Sequence, residues 1–94
     1  MGQARPDLIT VHWENPPGPD QGILLVRRLR GREYETRIGP RGSLTQIETA
    51  AVLRVSVMTV NRYVGAGILK DHKEDGVSVI RLSEIKRFLQ ERRR

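Results

Sequence analysis

The chain contains no cysteine, which excludes disulfides and thiolate zinc sites and fits a reducing compartment. Histidine is scarce too. His12 and His72 are the two present, and nothing in the sequence sets them beside a third ligand, so neither a metal site nor an acid–base pair is expected. Asp71 precedes His72, but adjacent residues of a strand point to opposite faces. There is no nucleophile triad and no phosphate-binding glycine loop, so catalysis and cofactors are not expected. No apolar run approaches the ~20 residues needed to cross a bilayer. The opening MGQARPDLI lacks the apolar core of a secretion signal. These absences lead to the expectation of a soluble, cytoplasmic, non-enzymatic protein with no membrane partner and no small-molecule effector.

What the chain has is positive charge. Seventeen Lys and Arg face eleven Asp and Glu, a formal net charge of +6, and the isoelectric point is near 10.8. Such a balance suits a polyanionic partner, because each neutralised phosphate releases a condensed counterion. It also serves solubility, so charge alone does not decide. At 94 residues the chain is expected to be one domain, or one compact domain carrying an extension, too short to enclose a large catalytic pocket.

The run Gly39-Pro40-Arg41-Gly42-Ser43 breaks both helix and strand and divides the chain into 1–42 and 43–94. Before the break the pattern is strand-like. From Leu8 to Trp13 the more apolar set Ile9, Val11 and Trp13 alternates with Leu8, Thr10 and His12. Asn15-Pro16-Pro17-Gly18-Pro19-Asp20 reads as a turn or loop. Ile23–Leu29 and Glu33–Ile38 flank Arg30-Gly31-Arg32 and read as a hairpin. Two or three short antiparallel strands are therefore expected.

After the break the period becomes helical. Thr45 and Glu48 have capping-box spacing, so a helix is expected from about Gln46, with Ile47, Ala50, Ala51 and Leu53 giving it an apolar face. Arg54-Val55 breaks it, and Ser56 caps a second helix in which Val60, Tyr63 and Val64 fall at i, i+3 and i+4. Gly65-Ala66-Gly67 ends that helix. Strands are expected over Leu69–Lys73 and Val77–Arg81, joined through Glu74-Asp75-Gly76. Ser83 is read as the cap of a last helix with Ile85, Phe88 and Leu89 on one stripe, and Arg92-Arg93-Arg94 at the end that the dipole makes negative.

Two helices joined by a short turn, then a hairpin and a further helix, follow the order of a winged helix-turn-helix, in which the second helix enters the DNA major groove. If Val60, Tyr63 and Val64 face inward, then Met58, Asn61, Arg62 and Gly65 share the outward face, with Val57 and Thr59 in the first turn. Asn pairs with adenine, Arg with guanine or phosphate, and apolar groups meet thymine methyls. Residues 44–69, LTQIETAAVLRVSVMTVNRYVGAGIL, resemble the helix-turn-helix of the excisionase-like and MerR-like families. Leu44, Thr45, Ala50, Leu53, Val55, Ser56, Thr59, Val60, Arg62, Tyr63, Gly67 and Leu69 match that pattern in register, and RLSEIKRFL resembles its final helix. Two departures stand out: Arg54 replaces the usual turn glycine, implying a slightly different turn, and Val57 stands where many relatives carry a basic or polar residue.

The resemblance implies an α+β fold, a short N-terminal antiparallel β segment followed by a winged helix-turn-helix. It implies sequence-specific binding of double-stranded DNA, as an excisionase-like architectural factor or a minimal transcriptional regulator, with a homo-oligomer on DNA as an option. The long dimerisation helix and effector domain of full MerR-type regulators are not expected after Leu89. Val57, Met58, Thr59, Asn61 and Arg62 are the candidates for groove contact, and Arg54, Lys70, Lys73 and Arg81 for phosphate contact. Glu74 and Asp75, near the tip of the second hairpin, oppose phosphate binding there. The rival reading is a protein-interaction adaptor or phage packaging subunit on the same scaffold. Arg27, Arg28, Arg30, Arg32, Arg37 and Arg41 cluster about the first hairpin, diluted by Glu33 and Glu35. Three uses stay open for it: a sheet packed on the helices with solvated arginines, a basic ribbon on DNA, and edge pairing between chains.

Overall fold

Alternation of apolar and polar residues makes the first sheet. The computed structural model describes residues 8–13 and 18–92. β1 (Leu8–His12), β2 (Ile23–Leu29) and β3 (Arg32–Ile38) form an antiparallel sheet in the order β1-β2-β3. Ile23, Leu25 and Ile38 are buried in the core, and Ile9, Val11 and Trp13 pack against that core, partly buried. The β2–β3 connection is the pair Arg30-Gly31, both at positive φ (54° and 79°), the geometry of the two-residue turns that match strand twist. Residues 28–37 are exposed, so this end of the hairpin stands out as an arm. Gly22 has no room for a side chain, since a Cβ there would lie 2.2 Å from the Ile38 carbonyl oxygen. Of the proline-rich segment, Gly18–Gln21 is a turn closed by the Gln21 N–H on Gly18 O at 3.2 Å. Asn15, Pro16 and Pro17 lie outside the described residues, as do Arg93 and Arg94.

The strands are not confined to the N-terminal part. β4 (Ser43–Thr45), β5 (His72–Glu74) and β6 (Val77–Arg81) form a second antiparallel sheet in the order β4-β6-β5. With the helices α1 (Gln46–Leu53), α2 (Val57–Gly65) and α3 (Leu82–Arg92), the chain is a mixed α and β fold. The expected capping box is formed in full: Glu48 N–H donates to Thr45 Oγ1 at 3.2 Å, and Thr45 N–H to Glu48 Oε1 at 2.9 Å. Ser56 Oγ accepts from Thr59 N–H at 3.1 Å at the start of α2. Gly67, at φ 78°, takes α2 out through left-handed geometry, with Ile68 N–H on Tyr63 O at 2.9 Å and Gly67 N–H on Val64 O at 3.1 Å. That pair of bonds satisfies carbonyls the helix end leaves open. Asp75 and Gly76, at φ 52° and 80°, make the tight turn of the β5–β6 hairpin.

Three expectations change. The strand expected over Leu69–Lys73 is shorter and later, because Leu69 is drawn into the core (1% exposed) and the Lys70 N–H bonds the Glu84 carboxylate at 3.0 Å rather than a ladder. Ser83 is not the cap of α3. β6 runs straight into the helix at Leu82, which is fully buried and whose N–H donates to Gly42 O at 2.9 Å. β4, which sequence did not foresee, starts at the last residue of the break, because Leu44, also fully buried, pairs with Ile80.

One core holds both sheets and the three helices of the described residues: Ile23, Leu25 and Ile38 join Leu44, Ala50, Val52, Val60, Leu69, Ile80, Leu82, Ile85 and Phe88. Each such side chain, fully buried, contributes about 1.5–3 kcal/mol. Lys86 is buried as well, and its ammonium donates to Gly18 O and Gln21 O, each at 2.6 Å. This clamp fastens the turn before β2 to α3. No helix among the described residues is long and apolar enough to cross a membrane.

Candidate nucleic-acid interface

The side chains of α2 divide cleanly. Val60 is fully buried, and Tyr63 and Val64 pack on the core. The Tyr63 ring lies 5.3 Å from that of Phe88, centroid to centroid, and Arg92 covers both rings at 5.6 and 4.8 Å while donating to Tyr63 Oη at 3.0 Å. These contacts fix the rotation of α2 about its axis. The opposite face is thereby turned to solvent. Met58 is 76% and Val57 42% exposed, and Asn61, Arg62 and Gly65 are exposed with them.

Val57, Met58, Asn61 and Arg62 line one shallow groove together with Gln46 of α1. Gln46 is the residue that sequence reasoning missed. Its Nε2 donates to Ser78 Oγ at 3.0 Å, its Oε1 accepts from Asn61 Nδ2 at 3.4 Å, and Ser78 Oγ donates to Asp71 Oδ2 at 2.5 Å. The chain Asp71–Ser78–Gln46–Asn61 thus runs from the β5–β6 hairpin through α1 to the exposed face of α2. It orients the Asn61 amide, so a ligand meeting Asn61 meets a pre-positioned group. No local signal marks Gln46, which in sequence is only the residue after a helix cap.

The other candidates are dispersed. Thr59 is half-buried, with its hydroxyl 3.0 Å from Ser56 Oγ, so it belongs to the capping of α2 more than to the groove. Arg54 is exposed at the end of α1 in the left-handed conformation (φ 61°, ψ 44°). It takes up the geometry a glycine would adopt, and the Val55 N–H still reaches Ala50 O at 3.0 Å. Lys70 lies beside Glu84, whose carboxyl is held below the usual carboxylate range, foremost by the hydrogen bond from Arg87, against the opposing effect of burial, and then by the Lys70 N–H and the two cationic charges. The same bond, with a second to Glu91, pushes the Arg87 guanidinium up.

Sheet register separates the remaining charges. Lys73 pairs with Ser78, while Glu74 pairs with Val77 and His72 with Val79. Since cross-strand partners share a face, Lys73 stands on the side of Ser78 and Gln46. Glu74 stands on the other side, where its carboxylate meets His72 Nε2 at 2.9 Å. Arg81, paired with Ser43 and in step with Val79, is also on that other side. Lys73 therefore shares the sheet face of Ser78, the residue that Gln46 bonds, and Arg81 does not.

No family model, curated protein or solved structure matches the chain. The groove carries an amide pair, a guanidinium and two apolar side chains at the start of a helix whose sequence, VMTVNRYVG, contains no carboxylate. The helix N-terminus adds its own partial positive charge. Among the described residues, no group of three or more His, Asp or Glu side chains is placed to hold a metal ion.

Proposed function

We propose that the chain is a double-stranded DNA-binding protein of winged helix-turn-helix type, resembling the excisionase-like and MerR-like families, with α2 as the recognition helix and the β5–β6 hairpin as the wing. The observation that carries this reading is the α2 groove. Met58, Asn61 and Arg62, with Val57 and Gln46, converge there beside a helix start free of carboxylates. In this reading Asn61, set by Gln46, and Arg62 address base edges, Met58 and Val57 meet thymine methyls, and Lys73 and Arg54 hold phosphates. An excisionase-like architectural role and a minimal regulator both use such a surface.

The test is selection from a random duplex pool, followed by titration of wild type and Arg62→Ala against the recovered sequence. An enriched motif is expected, with Arg62→Ala costing about 1–3 kcal/mol in binding and leaving the thermal midpoint unchanged. Equal loss of folding and binding would make Arg62 structural and sink the assignment. A second reading, a protein adaptor, draws on the exposure of Met58 at 76% and Val57 at 42%, which suits an apolar anchor on a protein partner. Its signature is weak duplex binding with no enriched motif.

A further inference from the structure

The β2–β3 arm sorts its charges by face. Arg27 pairs with Tyr34, Leu29 with Arg32 and Leu25 with Thr36, whereas Arg28 pairs with Glu33, Val26 with Glu35 and Leu24 with Arg37. Cross-strand partners share a face, so Arg27, Leu29, Arg32, Tyr34 and Thr36 occupy one side. Both glutamates of the arm lie on the other, where Glu33 is taken up by Arg28 at 2.6 Å. The first side holds two arginines and a half-exposed tyrosine, 48%, with no carboxylate of its own strands. Arg30 stands beside it in the turn.

This side faces along the body of the protein. Arg27, Leu29, Tyr34 and Thr36 form a groove with Glu48 of α1, whose carboxylate is occupied in capping Thr45 N–H at 2.9 Å. On α1, Glu48 borders the arm and Gln46 borders the α2 groove, and between them Ile47 is 49% exposed. The two surfaces therefore flank the first turn of one helix. The described molecule spans 36 × 31 × 28 Å, so a duplex of one turn, ~34 Å, matches it in length.

We infer that the Arg27–Arg32–Tyr34 side of the arm binds the sugar–phosphate backbone of the same duplex, on the flank of the site read by α2. This rests on the DNA-binding reading above. Guanidinium groups pair with phosphate through parallel hydrogen bonds, and the tyrosine hydroxyl supplies a further donor. The contact adds affinity and register without sequence preference.

The experiment uses the full chain, the duplex recovered by selection and an unrelated duplex of equal length, titrated at 50 and 200 mM salt. Variants are Arg32→Ala, the double Arg27→Ala/Arg32→Ala, and Arg28→Ala as the opposite-face control. Each phosphate contact contributes about 0.9 to the salt slope, so losing one shrinks the fall in affinity across this fourfold range about 3.5-fold and losing two about twelvefold. The double variant is expected to lose that much on both duplexes while keeping the same preferred motif, with Arg28→Ala unchanged. If the double variant does not fold, Arg32→Ala at the exposed end of the arm decides alone. A wild-type slope in the arm variants, while Arg62→Ala still weakens binding, overturns the arm contact and leaves the α2 reading standing. An equal change in Arg28→Ala overturns the facial assignment. Failure of the wild type to bind either duplex overturns both.

Discussion

Replacing Arg54 by glycine is expected to stabilise the protein and at the same time weaken the DNA binding proposed for it. Arg54 closes α1 at φ 61° and ψ 44°, where a Cβ crowds the following carbonyl at a cost of about 1–2 kcal/mol. Glycine removes that crowding, but its freer unfolded chain returns about 0.4–1 kcal/mol. The net gain is about 1 kcal/mol, and for a domain of this size that raises the thermal midpoint by roughly 4–8 °C. The Arg54 side chain is exposed, and in the proposed complex it holds a phosphate, so its loss lowers the salt slope by about 0.9. Arg54→Ala separates the two effects, since alanine keeps the strained backbone and loses the charge. The assays are thermal denaturation followed by circular dichroism, and duplex titration at two salt concentrations. Glycine and alanine variants of equal midpoint would refute the strain argument. Unchanged slopes in both would remove Arg54 from the phosphate contacts.

Two further perturbations probe the scaffold. Glu84 has its carboxyl lowered by Arg87 and the Lys70 N–H, so the stability it adds is present above its ordinary value of 4.5 and is lost as pH falls through the lower folded value. Glu84→Gln should lack that acid limb, and midpoint-against-pH curves that run parallel for the two proteins would contradict it. Lys86→Met keeps the buried stem but strips Gly18 O and Gln21 O of their shared donor, which should cost about 1–3 kcal/mol. Denaturant unfolding measures this, and a variant as stable as wild type would show that burying the ammonium cancels its hydrogen bonds.

Features made by residues within four positions of one another were legible without coordinates. Thr45 with Glu48, Ser56 with Thr59, Asp75-Gly76 in its turn and the Val60–Tyr63–Val64 stripe each depend on local backbone geometry that composition alone can satisfy. Sequence therefore located the three helices of the described residues and both hairpins, with the first strand of the second hairpin set too early, and it put Met58, Asn61 and Arg62 on the outward face of α2. The tertiary structure decided what depends on distant partners. β4 is three residues long and exists because Ser43–Thr45 finds Arg81–Val79, and Leu82 rather than a capping serine opens α3 because its N–H meets Gly42 O. Gln46 enters the groove through Ser78 and Asn61, 32 and 15 residues away, and Lys86 is buried by carbonyls 68 and 65 residues away. Such contacts appear only once the chain has closed its long loops and the core has set the rotation of each element. Local propensities carry no record of that rotation, which is why the faces of the arm and the partners of Asn61 had to come from the fold.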